Sequence, residues 1–538
     1  MTTSQQDTPA IVRWLFPSIK DILFLAFLFV PLMTRQSGVL YDGDTGWHIR
    51  NGEQIRATQS VPRADDFSYT HRGGSWYAWE WLADLTLATI HRHAGLNGIV
   101  IWANVTFALT FTLLFRSMLR RNGNVFVCLL FTALAGFASA VHWLARPHLF
   151  TLLLILIWSL LVDRLQEQGM VTGIWSRRAW VLPPFVIVWA NLHGGFVVGI
   201  VLLMIYGLGN FLSSLTEAES GLRERRRWLA GRFAFISLLC LLVTLINPYG
   251  YELHLHILDS YVHSQYLVDR ITEFASPNFH TLVVRFFELI LLGSIVLLGV
   301  SYRRLSFIET GLLVFWTHLA LFSVRHVPLY TLIIVPLLVG HVCEYLREVQ
   351  RDRKFQGWIG RLAGQFQSYS DSMNRFESQF KGVFYPVVVS AILVFVCVNK
   401  GTLGGTKVLD AKFDEEQFPV KAAKFIEGEN LQGNLFTTDY WGGYFIYRFY
   451  PRYRVFFDGR SDMYGRDFIK EYQALTNLEH SWKDVLTKYR ISWILLPVNY
   501  GLATALKERN DWRIIYDDHQ SIIFTRATGL DSARAWGQ

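Results

Sequence analysis

Cysteine is scarce in this chain: 538 residues contain four, Cys128, Cys240, Cys343 and Cys397, each inside an apolar run and far from the others. Cysteines placed this way pack as small hydrophobes. Neither a disulfide framework nor a cysteine metal site is expected. Several enzyme fingerprints are missing too. There is no Gly-rich phosphate loop ahead of a helix, no Gly-x-Ser-x-Gly elbow and no His-Glu-x-x-His pair, which removes the common nucleotide, serine-hydrolase and zinc-protease classes. No internal repeat or low-complexity segment is visible. No small-residue cleavage site follows the first apolar run, so that run reads as a retained anchor rather than a signal peptide.

What fills the chain instead is apolar sequence: 51% of the residues are hydrophobic and 15% aromatic. Runs approaching the roughly twenty residues needed to cross a bilayer lie near 19–33, 96–115, 125–140, 149–162, 179–190, 196–212, 233–246, 282–299, 307–322, 329–345 and 383–398. The expected fold is an α-helical multi-pass membrane protein of about 11 spans. The net charge of +8 would point to nucleic acid in a soluble chain, but here its placement decides. Arg116, Arg120 and Arg121, then Arg164, Arg177 and Arg178, then Arg223 to Arg232, Arg303 and Arg304, and a basic loop from 347 to 381 fall on alternate loops. By the positive-inside rule that side, with the N-terminus, is the cytoplasm. The expected partners are membrane lipids, with no nucleic acid.

The opposite side carries a different chemistry. Directly after the first span comes Tyr41-Asp42-Gly43-Asp44-Thr45-Gly46-Trp47-His48-Ile49-Arg50, and Glu53 follows. Ionisable groups at the rim of a membrane need a partner or water. His142 to His148, Asn191-Leu192-His193, Asn247-Pro248-Tyr249-Gly250, Arg270 with Glu273, and Arg325-His326 all face the same way. Any one of them alone is better read as a helix cap or a buried hydrogen-bond partner. Together they point to a shared outward-facing pocket. The first outer loop, 34–95, also holds Trp76-Tyr77-Ala78-Trp79-Glu80-Trp81, and the amphipathic stretch 80–93 is too short to span. It suits a helix lying in the interface, or a piece of packed soluble structure.

Beyond Asn399 the apolar runs stop. Gly401-Thr402-Leu403-Gly404-Gly405 reads as a break, which divides the chain into a membrane region, 1–400, and a small α/β unit, 401–538, on the outer side. Strands are expected at 454–457, 493–496, 514–516 and 521–525, and helices at 419–427, 466–475 and 482–489. Asp439-Tyr440-Trp441-Gly442-Gly443-Tyr444 and Asp458-Gly459-Arg460 set glycines beside aromatics and charges. Such a patch offers either a stacking surface for a sugar or a turn packed on an aromatic core.

A carboxylate pair with arginine and histidine at a membrane edge suits one kind of reaction. A carboxylate takes the proton of an acceptor hydroxyl, while a cation holds a phosphate leaving group. With these residues in view, the chain resembles the GT-C superfamily of membrane glycosyltransferases. In that superfamily an acidic motif follows the first span, and polyprenyl-phosphate-linked sugars are the donors. Asp44-Thr45-Gly46-Trp47-His48-Ile49-Arg50 is similar to the Asp-x-x-aromatic-His-x-Arg string of archaeal oligosaccharyltransferases. The whole chain also resembles bacterial multi-pass membrane proteins described as glycosyltransferase-like. That likeness lies in 44–53, Glu80-Trp81-Leu82, Arg146-Pro147-His148, Trp189 to Gly195, Asn247 to Gly250, and Asp458-Gly459-Arg460.

The resemblance implies a transferase moving a sugar from a polyprenyl-phosphate-sugar donor to an envelope acceptor (glycan, lipid or protein) at the outer face of a bacterial inner membrane. Asp44 would be the catalytic or metal-binding carboxylate, supported by Asp42 and His48. Arg50, Glu80, Arg146, His148, His193, Arg325, His326, Asp458 and Arg460 would bind substrate. A divalent ion, Mg or Mn, at Asp44 is an option its oxygen-and-nitrogen surroundings allow. The oligosaccharyltransferases' Trp-Trp-Asp-Tyr-Gly motif is absent, so an Asn-linked protein acceptor is not expected. Two alternatives of other classes stand beside this reading: a transporter or flippase for a lipid-linked solute, and a non-catalytic envelope scaffold.

Overall fold

The computed structural model of the chain describes residues 9–34, 38–121, 123–259, 272–301, 304–351 and 357–527. Arg270 and Arg303, named above, lie outside the described residues. Every expected span falls on a helix. In order these are α1 (Ile19–Thr34), then α2 (Asp44–Thr58) in the outer loop, α3 (Trp81–Arg120), α4 (Val125–Ala138), α5 (His148–Thr172), α6 (Leu182–Leu192), α7 (Phe196–Thr216), α8 (Ser220–Val243), α9 (Leu282–Val300), α10 (Phe307–Phe322), α11 (Val327–Arg351), α12 (Trp358–Ser378) and α13 (Phe384–Val398). Among the described residues, seven helices are long and apolar enough to cross a membrane, and α10 and α13 are shorter apolar helices. The chain is a multi-pass membrane protein.

Local chemistry explains the ends. Asn124 caps α4 by accepting the Phe126 and Val127 N–H groups, and Ser306 with Glu309 forms a reciprocal capping box on α10. The outer faces of the helices are apolar as well as the core. Met204, Leu208, Phe211 and Leu215 of α7 and Leu292, Ile295 and Val296 of α9 are exposed large apolar side chains, repeating every three to four residues as a lipid-facing stripe does. The amphipathic 80–93 segment is helical, and it is the first part of α3. The chain bends at Gly95, at φ 59°, a left-handed conformation glycine adopts without strain, before the apolar part begins. The basic loop expected over 347–381 proves to be largely helical: α12 packs its polar–apolar face under α4 and α11, and its Ser370 hydroxyl accepts the Val125 N–H at 2.9 Å.

After α13 the chain makes a small hairpin at 402–407 and builds a four-stranded sheet with helices. The strands are β1 (Asn434–Phe436), β2 (Ile491–Pro497), β3 (Trp512–Asp517) and β4 (Ser521–Arg526), in the order β1-β2-β4-β3. β1 pairs parallel to β2, and the other pairings are antiparallel. The helices are α14 (Val420–Gly428), α15 (Asp439–Phe449), α16 (Ser461–Thr476), α17 (Trp482–Lys488) and α18 (Gly501–Lys507). Two expectations change. The segment 454–457 is not a strand of this sheet; Val455 makes a single bridge with Ser68 of the outer loop. The Tyr440–Gly443 patch is the first turn of α15, with Trp441 and Tyr444 buried, so its aromatics are core and its glycines serve contact. A Cβ on Gly46 would lie 2.5 Å from the Gly443 carbonyl oxygen, and one on Gly443 would lie 2.6 Å from the Gly43 carbonyl carbon. α2 and α15 therefore cross backbone to backbone.

Candidate active site

The acidic stretch after the first span becomes the start of α2. Asp42 accepts the Asp44 N–H at 2.8 Å, so both carboxylates sit at the helix end whose unpaired N–H groups favour negative charge. Arg146, just before α5, reaches across to them. Its Nη1 donates to Oδ2 of Asp42 and to Oε1 of Glu273, both at 2.6 Å, and Nη2 stands 3.1 Å from Oδ2 of Asp44. Arg325 lies 3.5 Å from the other oxygen of Glu273 and 4.5 Å over the Phe274 ring. These groups share one local field. Burial, and after it the neighbouring Asp42, pushes Asp44 up to about 8 against the pull of Arg146. Burial also opposes the charge on Glu273, but Arg146 and Arg325 outweigh it and hold that carboxyl at about 2.

A second acid stands on the other wall. Glu80, the residue before α3, lies 3.4 Å from Nε2 of His193 and 3.8 Å from Nε2 of His48. The tautomer of His193 follows from its other nitrogen: Nδ1 accepts the Gly195 N–H at 3.0 Å and lies 2.9 Å from the Thr151 hydroxyl, so Nε2 carries the hydrogen toward Glu80. His48 donates from Nδ1 to Asp84 at 2.5 Å, and Asn51 donates to the second Asp84 oxygen at 2.6 Å. Burial, then Arg146, holds His48 well below its ordinary value. Burial first, and Asp84 second, pushes Glu80 up to about 8.

Except for His48 and Asn51, which stand behind its wall, these groups line one cavity of about 900 Å³. Its polar end gathers Asp42, Asp44, Glu80, Arg146, His148, His193, Glu273, Arg325 and His326 from the membrane region, and Tyr440, Asp458, Gly459 and Arg460 from the C-terminal unit. Its other wall is apolar, with Leu152 of α5, Val197, Val198 and Val201 of α7, and Phe315 and Leu319 of α10. The C-terminal unit is part of this site. The Asp44 carboxylate rests directly on Gly459, where a Cβ would come within 2.6 Å of its Cγ and Oδ2.

No protein-family model matches the chain, and no curated protein matches it. Solved structures do. The apo crystal structure of the Archaeoglobus fulgidus oligosaccharyltransferase aligns over 95% of this chain and 74% of that one, with a TM-score of 0.52 and 9% identity. The same enzyme tethered through a disulfide bond to an acceptor peptide containing the NVT sequon aligns over 95% and 73%, at 0.50 and 11% identity. ArnT from Cupriavidus metallidurans, bound to undecaprenyl phosphate, aligns over 94% and 98%, at 0.48 and 14% identity. The chain shares the fold of the Archaeoglobus fulgidus oligosaccharyltransferase.

Within that fold, the residues singled out from sequence do not all point the same way. Asp42, Asp44, Glu80, Arg146, His148, His193, Arg325, His326 and Asp458 border the cavity. Three need correction. Arg50 faces away: six residues beyond Asp44 on a helix of 3.6 residues per turn, it lies about 120° round the helix from it. There it donates to the Tyr447 carbonyl from Nε at 2.8 Å and to Glu53 at 2.7 Å. His48 stands behind the wall, bonded to Asp84 and 1% exposed. Arg460 borders the cavity, but its guanidinium is already engaged. It pairs with both oxygens of Asp458 at 2.8 and 2.7 Å and with Asp65 at 2.8 Å, under the rings of Trp76 and Phe67 at 4.5 and 5.0 Å. That makes it a clamp between outer loop and C-terminal unit. Sequence reading missed Asp65, Asp84 and the depth of Glu273's involvement, since the partners that matter at the site, Arg460, His48 with Asn51, and Arg146, lie far away in sequence.

As arranged, the residues around Asp44 leave little room for a divalent ion. Among the described residues no group of three or more His, Cys, Asp or Glu comes together as ligands. The Arg146 guanidinium occupies the space between Asp42, Asp44 and Glu273. The positive charge beside these carboxyl groups is therefore a guanidinium.

Proposed function

We propose that this chain is a membrane glycosyltransferase that takes a sugar from a polyprenyl-phosphate-linked donor and passes it to an envelope acceptor. The observation that carries the reading is the two-sided cavity. Three carboxyl groups, Asp42, Asp44 and Glu273, and two arginines meet at its polar end, and apolar side chains of α5, α7 and α10 line the rest. A donor with a charged phosphate–sugar head and a long hydrocarbon tail matches that division. The fold shared with the oligosaccharyltransferase agrees with it. In this proposal the site faces outward from a bacterial inner membrane, with the N-terminus cytoplasmic and the 401–538 unit periplasmic, an orientation the alternation of basic loops supports.

In this reading the acceptor hydroxyl enters beside Asp44, which takes its proton as the oxygen attacks the anomeric carbon. The bond from that carbon to the phosphate oxygen breaks, and the lipid phosphate leaves with the electron pair. Arg325, with one face over Phe274 and a single 3.5 Å ion pair, has donors left for that phosphate. Arg146 fixes the two aspartates and supplies the positive charge that a metal would otherwise bring. Neither the transporter nor the scaffold alternative accounts for a carboxylate–arginine cluster concentrated at one rim. The deciding experiment is turnover of a panel of polyprenyl-phosphate sugars by purified protein, wild type against Asp44→Asn. Transfer or hydrolysis lost in a folded Asp44→Asn supports the reading, and equal turnover by the two proteins defeats it.

A further inference from the structure

A second cavity, of about 360 Å³, lies at the far end of the same two helices that frame the candidate active site. α3 starts beside Glu80 and ends at Arg120, and α5 starts at His148, so both helices run from the first cavity toward the second. Arg116 and Arg120 of α3 and Arg164 of α5 line it, flanked by Leu113 and Leu160. Its fourth arginine, Arg121, is neutralised by Asp163 at 2.6 Å. The other three make no ion pair among the described residues, although Glu167 lies on the same wall. Arg116 and Arg120 are one helical turn apart, an arrangement of like charges that destabilises a helix. Arg116 is also half-buried, one turn deeper in the span than Arg120, where an unpaired guanidinium is costly.

We propose that this cavity binds a phosphate group, the headgroup of an anionic phospholipid, at the face of the membrane opposite the candidate active site. Three convergent guanidiniums satisfy a phosphodiester. Leu113 and Leu160, partly buried beside the arginines, give the cavity an apolar flank for the start of the acyl chains. Basic pockets between membrane helices on the side carrying the positive loops recognise such headgroups. A free phosphate would meet the same arginines without using the leucines.

The test uses the full-length protein in a neutral detergent. Lipid retained in native mass spectrometry and the shift in thermal unfolding are measured with phosphatidylglycerol, phosphatidylcholine or inorganic phosphate. Phosphatidylglycerol is expected to be retained and to stabilise, phosphatidylcholine is not, and Arg116→Gln/Arg120→Gln/Arg164→Gln is expected to lower retention roughly tenfold or more. The corresponding Arg→Lys set keeps the charge that directs insertion and loses the forked geometry, so it carries the test if the Gln set fails to insert. Its retention should fall several-fold. Stabilisation by inorganic phosphate alone, reaching the same size at the same concentration, would overturn the lipid assignment in favour of a soluble phosphate. Equal retention of both lipids, or undiminished retention by the Gln set (by the Lys set where the Gln set fails to insert), would overturn the site.

Discussion

Gly459→Ala isolates the placement of Asp44 from its presence. Gly459 is not among the residues with positive φ, so its backbone accepts alanine without strain. The obstacle is one side chain. The added methyl would stand 2.6 Å from both Cγ and Oδ2 of Asp44 and nearer still to Oδ1. Ordinary contact begins near 3.4 Å, so the carboxylate must retreat by about 1 Å, a displacement that can cost an enzyme about a hundredfold. Folding should hardly notice, because what gives way is the tip of a short side chain at the edge of a cavity. The expected result is a drop in kcat/KM of about two orders of magnitude with a thermal midpoint close to wild type. Gly428→Ala, with nothing within 4 Å of the new methyl, is the matched control and should change neither quantity. Wild-type kcat/KM in Gly459→Ala would refute the argument, and so would a loss of activity that merely tracks loss of folded protein.

Three further outcomes follow from the same geometry. Asp44 holds its proton to about pH 8, and only the deprotonated form can act as base, so kcat/KM should climb about tenfold per pH unit below that value and level off above it; a profile flat from pH 6 to 9 would exclude Asp44 as the base. Arg146→Ala removes the partner of Asp42, Asp44 and Glu273 together. It should lower stability by about 3 kcal/mol or more, and by less at pH 5 than at pH 8, because the stranded carboxylates then take up protons; thermal unfolding at both pH values measures this. Because the Arg146 guanidinium already stands beside Asp44 where a metal would sit, exhaustive chelation should leave turnover unchanged, and activity lost to chelator and restored by Mg or Mn would show that a metal displaces the guanidinium.

The membrane helices were legible because each is an apolar run with basic residues at alternate ends, two signals that share one cause. The polar end of the cavity was legible for the same reason. Once the topology sets which loops face out, Arg146, His148, His193 and Arg325 share a face, however far apart they lie in sequence. Residue-level roles were less legible. Arg50 sits in the same short acidic string as Asp44, but helix phase sends it to the Tyr447 carbonyl instead. Nothing near Arg460 in sequence announces Asp65 as its partner. Tyr440-Trp441-Gly442-Gly443 has the composition of a turn, since glycine is a poor helix former. It is helical because tertiary contact requires glycine there. Packing against Gly43 and Gly46 outweighs the local preference.

That last contact bears on what the C-terminal unit is for. A soluble domain that merely covered a membrane site would meet it through side chains and leave the site intact when lifted away. Here the site has no complete version without it. The backbone of α15 lies against the first turn of α2, the turn that carries Asp44. Gly459 forms the surface under the Asp44 carboxylate, and Arg460 closes an ion-pair network with Asp65 of the outer loop beneath Trp76 and Phe67. One buried apolar cluster runs without a break from Trp47, Phe67 and Leu87 to Phe418, Trp441 and Trp493. The position of Asp44 is therefore set from two sides, by Arg146 of the membrane region and by Gly459 of the C-terminal unit. Any relative motion of the two would be felt first at that carboxylate.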